Sequence, residues 1–176
     1  MKEALAFSEN GKKSFKKKEF AAAADWFAKA AAVYDTGGDT LLAAEEKNNL
    51  SVALLMAGEP QRALEAALHT DEVFAVAGDR QRQAIALANQ ASACQDIKDN
   101  QRALNLFEEA SELLKALGEE DMRSEILKKI SILQLKEGQQ LQAVSSYSSA
   151  VSAKPHKGLK EHTLKALFKA LFNFFR

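Results

Sequence analysis

The chain is expected to be an all-α solenoid of antiparallel helix pairs, about nine helices forming one domain over residues 1–176. Three observations support this. Only two prolines and eight glycines interrupt the 176 residues, and alanine, leucine, glutamate and lysine, all strong helix formers, fill most of the length. In 99–117, Ala103, Leu106, Phe107, Ala110, Leu113 and Leu114 recur at the three-and-four spacing of one helix face, with Glu108, Glu109 and Glu112 opposite. A shift of forty residues also brings "QRALEAALHT" at 61–70 onto "QRALNLFEEA" at 101–110. Self-similarity at such a period marks stacked repeats rather than a single globular core.

The register divides the chain into repeats at about 4–38, 39–78, 79–118 and 119–158, followed by a closing helix at 159–176. Ala23, Ala63, Ala103 and Ala143 form one column, and Gly38, Gly78, Gly118 and Gly158 another. Phe27, Ala67, Phe107 and Tyr147 make a third. Ala30, Thr70, Ala110 and Ala150 make a fourth, and Gly11, Ser51, Ala91 and Ser131 a fifth. Small residues suit places where helix axes approach to about 8–10 Å, and the aromatic column fills the space further along. The glycine column stands where a left-handed cap ends each second helix. Asp39, Asp79 and Glu119 follow it and suit the start of the next helix. Gly58 and Gly138, with Lys98 between them, mark the turn inside each pair. Each unit thus reads as two helices of about 17 residues.

In the first repeat Phe7, Asn10, Gly11 and Ser14 stand at the spacing W-x2-L-G-x2-Y, and Ala23 with Phe27 at A-x3-F. The second repeat is the weakest, with Lys47 in place of the large apolar opener and Ala67 in place of the aromatic. The third supplies Leu87, Gln90, Ala91 and Cys94, then Ala103 and Phe107. The fourth supplies Leu127, Ile130, Ser131 and Gln134, then Ala143 and Tyr147, with Pro155 near the closing proline. Over residues 4 to about 155 the chain resembles the tetratricopeptide repeat (TPR) family. Its period exceeds the usual ~34 residues and is similar to that of LGN-type cell-polarity scaffolds and kinesin light chains. The resemblance implies a right-handed superhelix with a concave wall of first helices, and a peptide or helical segment of another protein bound along it.

The same resemblance turns particular residues toward that wall: Lys12 on the first helix of repeat one, and Asn48, Asn49 and Val52 on that of repeat two. Asn89 and Ser92 follow on repeat three, and Lys128, Lys129 and Ile132 on repeat four. Asn49 and Asn89 share a column two positions before a small residue, where related scaffolds hold a partner's backbone. A side-chain amide both donates and accepts, so it can pair with a peptide main chain of any sequence. An intramolecular bond to the neighbouring helix, or plain solvation, is the competing reading. Lys128, Lys129 and Lys136, with Lys12 and Lys16, would attract an acidic ligand, although a solvated face also accounts for them. The carboxylate clamp of chaperone-binding relatives is largely missing, since only Asn49 matches it.

Composition narrows the remaining function classes. The formal net charge is zero, but residues 1–18 carry six lysines against two glutamates, and 154–176 six basic residues against one glutamate. The middle is therefore acidic. Nucleic acid is not an expected partner, because solvated faces and end-to-middle attraction account for the basic ends. The single cysteine, Cys94, excludes an internal disulfide and fits a reducing compartment. With no apolar leader in "MKEALAFSENGKK" and no run of ~20 apolar residues, the expected location is cytoplasmic. His69, His156 and His162 lack metal-site spacing, and neither a phosphate-binding loop nor a nucleophile elbow is present. No catalysis, metal or cofactor is expected. Cys94, Trp26 and Phe74 read as packing residues.

The tail "LKEHTLKALFKALFNFFR" places Leu167, Ala170, Leu171 and Phe174 at core positions by register, leaving Phe168, Phe172 and Phe175 without a following helix. Three phenylalanines on one free face form a patch that calls for a cover. A homodimer or swapped helix, closure of the chain's own core, and a basic amphipathic surface helix with Lys160, Lys165, Lys169 and Arg176 compete for it. The acidic middle would be repelled by anionic lipid, which disfavours the membrane.

Overall fold

The computed structural model describes residues 2–153. Among them the regular elements are helices: α1 (Lys2–Lys16), α2 (Phe20–Thr36), α3 (Thr40–Met56), α4 (Pro60–Ala67), α5 (Thr70–Val76), α6 (Arg80–Asp96), α7 (Asn100–Leu117), α8 (Glu120–Lys136) and α9 (Gln140–Ala153). Successive helices pack as antiparallel pairs, α1 with α2, α3 with α4 and α5, α6 with α7, and α8 with α9. Each pair then abuts the next through α2–α3, α4 and α5 on α6, and α7–α8. The chain is an all-α, TPR-like solenoid.

The turn columns share one backbone conformation. Gly38, Gly78 and Gly118 between pairs have φ of 76°, 73° and 73°, and Lys18, Gly58, Lys98 and Gly138 within pairs have 64°, 80°, 68° and 73°. Glycine takes that left-handed region without steric cost. The following helices open on Asp39, Asp79 and Asp99, whose carboxylates accept from the backbone N–H of Leu42, Arg82 and Arg102 at 3.2, 2.9 and 3.3 Å. Glu119 opens α8 without such a bond. The backbone N–H of Arg82, reinforced by its guanidinium, holds the Asp79 carboxyl below the usual value.

The small columns are buried. Ala23, Ala63, Ala103 and Ala143 are at most 1% exposed, as are Ala30, Thr70, Ala110 and Ala150. Gly11 shows why: a Cβ there would stand 2.7 Å from the Phe27 ring, so only glycine lets α1 and α2 close over it. Phe27, Ala67 and Phe107 are buried as well. Cys94 and Phe74 are core residues, and burial pushes the Cys94 thiol above its ordinary pKa. Trp26 is half-buried and stacks on Phe7 with ring centroids 5.7 Å apart.

The second repeat departs from two helices of about 17 residues. Its second helix is broken into α4 and α5, with Leu68 extended (φ −54°, ψ 135°) and His69 left-handed (φ 63°). The break frees the Ala67 carbonyl, which accepts instead from Thr70 Oγ1 at 2.7 Å and from Gln90 Nε2 of α6 at 3.2 Å. Gln90 also donates to Asp71 Oδ1 at 2.5 Å. Buried carbonyls need a partner, and these side chains replace the lost main-chain bond. The nine helical segments described thus arise from four pairs and one break; the expected ninth helix, 159–176, lies outside the described residues.

Candidate functional site

α1, α3, α6 and α8 stand side by side and are tied by a polar ladder. Ser8 Oγ donates to Glu46 Oε1 at 2.7 Å, the Arg82 guanidinium to Glu45 Oε2 at 3.1 Å, Asn89 Nδ2 to Asn48 Oδ1 at 3.1 Å, and Lys129 Nζ to Ser92 Oγ at 3.0 Å. The partners are 38, 37, 41 and 37 residues apart, the repeat length adjusted by up to one helical turn. The ladder fixes the spacing of the first helices and so the shape of the wall they form.

Several residues expected on this wall are engaged within the protein. Asn48 is buried and donates to the Ala44 carbonyl at 3.2 Å while accepting from Asn89. Asn49 Nδ2 reaches Glu46 Oε2 at 3.4 Å, a long contact that gives little. The bond from Asn89 is the intramolecular alternative recognised for the asparagine column, and it occupies one amide proton. Lys12 pairs with Glu9 at 3.3 Å and Lys128 with Glu125 at 3.0 Å, each on its own helix. Lys129 lies 5.3 Å from the Phe107 ring centroid, and this burial lowers its pKa against the opposing pull of Asp96. The Ser92 hydroxyl also donates to the Ala88 carbonyl at 2.8 Å.

Between the rungs the wall is apolar and accessible. Ile85 is 41% exposed, Ile132 52% and Met56 55%, with Val52 and Ala88 half-buried. Neutralised charge beside exposed aliphatic side chains can hold an apolar strip of a partner while the amides satisfy polar groups along its edge. Glu46 and Arg82 are rungs that reading single columns missed. A search for complementary side chains 37–41 residues apart would have found them. Phe168, Phe172 and Phe175 lie outside the described residues. Among the described residues no group of three or more His, Cys, Asp and Glu could hold a metal ion, and no helix is long and apolar enough to cross a membrane.

Residues 1–172 match the family profile of the soluble NSF attachment protein, SNAP. The chain belongs to the SNAP family. No curated protein matches it. Solved structures agree with a TPR-like repeat fold. A Podosopora anserina kinesin light chain-type protein of nearly identical TPR-like repeats is similar with TM-score 0.79 at 16% identity, over 96% of this chain and 87% of that one. MamA is similar with TM-score 0.62 at 21% identity, over 82% and 74%. BtubC (BKLC) from P. vanneervenii gives 0.64 at 15%, over 98% and 84%. These likenesses speak to fold. TPR-like repeats, the class to which SNAP folds are similar, generally mediate contacts between proteins.

Proposed function

We propose that this SNAP-family chain is a non-catalytic, cytoplasmic adaptor that holds a peptide or helical segment of another protein against the α1–α3–α6–α8 wall. The observation that carries the reading is the ladder itself, which braces four helices at fixed spacing yet leaves Ile85, Ile132 and Met56 exposed between its rungs. A braced surface loses little entropy on binding, and such preorganisation favours affinity. The family name, which denotes attachment of NSF, supports a protein partner. Asn49 and Asn89 would serve the partner's main chain at the edge of the apolar strip, with Lys12, Lys128 and Lys129 beside them.

The test is capture of partners by the full chain against Ile85→Asp with Ile132→Asp. Both side chains are exposed, so the melting temperature should stay within about 2 °C while capture falls at least tenfold. Undiminished capture would remove the wall from the proposal. Asn49→Ala with Asn89→Ala should weaken capture less and lower stability by about 1 kcal/mol, because it also removes the bond to Asn48.

A further inference from the structure

Toward the C-terminal ends of its helices the wall changes character from one repeat to the next. Repeat two places Val52, Leu55 and Met56 there, and repeat four places Ile132 and Leu135 beside Lys136. Met56, Ile132 and Leu135 are 55%, 52% and 42% exposed. In repeat three the same columns hold Ser92, Gln95 and Asp96, with Asp96 exposed. A polar strip ending in one carboxylate thus lies between two apolar ones.

Asp96 stands against the local rules. It is the last residue of α6, where the helix dipole presents its negative end and favours a cation. In that column Lys16 and Lys136 end α1 and α8, and Met56 ends α3. Asp35, the acid in the last turn of α2, has Lys47 Nζ at 2.8 Å to offset it, but Asp96 has no ion-pair partner among the described residues. Lys129 feels its field yet directs its ammonium to Ser92 Oγ at 3.0 Å and toward the Phe107 ring. An exposed charge that opposes its own helix and is left unmatched within the protein marks a group kept for contact with something else.

We propose that Asp96 selects the partner, an extended segment that seats a lysine or arginine on Asp96 and an apolar side chain on either side of it. One apolar anchor lies over Val52 and Met56, the other over Ile132 and Leu135. This rests on the proposed wall and narrows what it binds. Helix axes about 8–10 Å apart put the two apolar strips about 16–20 Å apart. An extended chain at about 3.3 Å per residue spans that in about five or six residues, with the cation midway. The amides at Asn49 and Asn89 favour extension, since they bond main-chain groups that a helix would use internally. Lys16 and Lys136, in the column of Asp96, repel a cation placed out of register.

A phage-displayed library of random peptides about twelve residues long, selected on the full chain, supplies the probe. The enriched peptides should carry Lys or Arg with an apolar residue about three positions away on each side. By fluorescence anisotropy they should bind about threefold more weakly to Asp96→Asn and at least about tenfold more weakly to Asp96→Lys. A peptide with that cation changed to Glu should recover binding to Asp96→Lys. The melting temperature of Asp96→Asn should match or exceed that of the native chain. Binders that depend on Ile85 and Ile132 yet lack a central cation, or ignore Asp96, would overturn this selectivity and leave the wall standing. Binders indifferent to Ile85→Asp with Ile132→Asp, or no binders at all, would remove both. A melting temperature lowered by more than about 3 °C in Asp96→Asn would assign Asp96 to holding the fold instead.

Discussion

At the α1 end the chain sets Asn10 and Lys13 where interior repeats bury Gln90 and Ala93, while at the α9 end it sets Val144 and Tyr147 where α7 buries Leu104 and Phe107. A solenoid contacts only its neighbours, so each end needs a surface that water accepts. The α1 face differs from the interior by substitution within the repeat, with Lys13 exposed and Asn10 half-buried. The α9 face keeps the apolar character of the interior columns, half-buried at Val144 and Tyr147.

The largest effect should come from the aromatic column. Phe107→Ala is expected to cost about 3–5 kcal/mol in urea denaturation, and Tyr147→Ala less than half as much in a chain ended at residue 158. Equal losses there would erase the difference between a covered face and an open one. A joint in the middle gives an intermediate effect and a reference for both ends. Asp79→Ala should lose about 1 kcal/mol through the missing cap. Asp79 has a folded pKa below its unfolded value, so its contribution is present above the unfolded pKa and fades as pH falls through the folded one. Stability should therefore drop in acid below about pH 4 for the native chain, and less steeply for Asp79→Asn, which keeps the cap without the titration. The smallest change in stability, within about 0.5 kcal/mol, is expected for Asn10→Leu with Lys13→Leu. Its effect is instead a concentration-dependent rise in mass by light scattering. A strict monomer would show that the polar residues do not guard that end.

Much of this fold was legible because its determinants are local or periodic. Left-handed turns announce themselves at Gly38, Gly78 and Gly118, and close helix contacts at Ala23, Ala63, Ala103 and Ala143. The break at Leu68–His69 was not legible in that way, since neither glycine nor proline marks it. It depends on Gln90, a residue twenty-odd positions away whose amide takes up the loose carbonyl of Ala67. Three departures from column did flag the place: Ala67 among aromatics, Thr70 among alanines, and Gln90 between Leu50 and Ile130. The candidate wall was legible as a set of positions. Which of its side chains pair with one another was not, because Asn89 chooses between Asn48 and solvent by distances that only the packed helices set.

That break has a mechanical meaning. An unbroken helix is a strut whose bending stiffness comes from its main-chain bonds, whereas α4 and α5 meet at a hinge pin latched by the side chains of Thr70 and Gln90. The contact between repeat two and the repeat that carries the latch therefore depends on side-chain bonds at one strut, where other struts rely on the main chain. Thr70 and Gln90 are both buried, so a change at either would loosen this joint without altering the exposed surface.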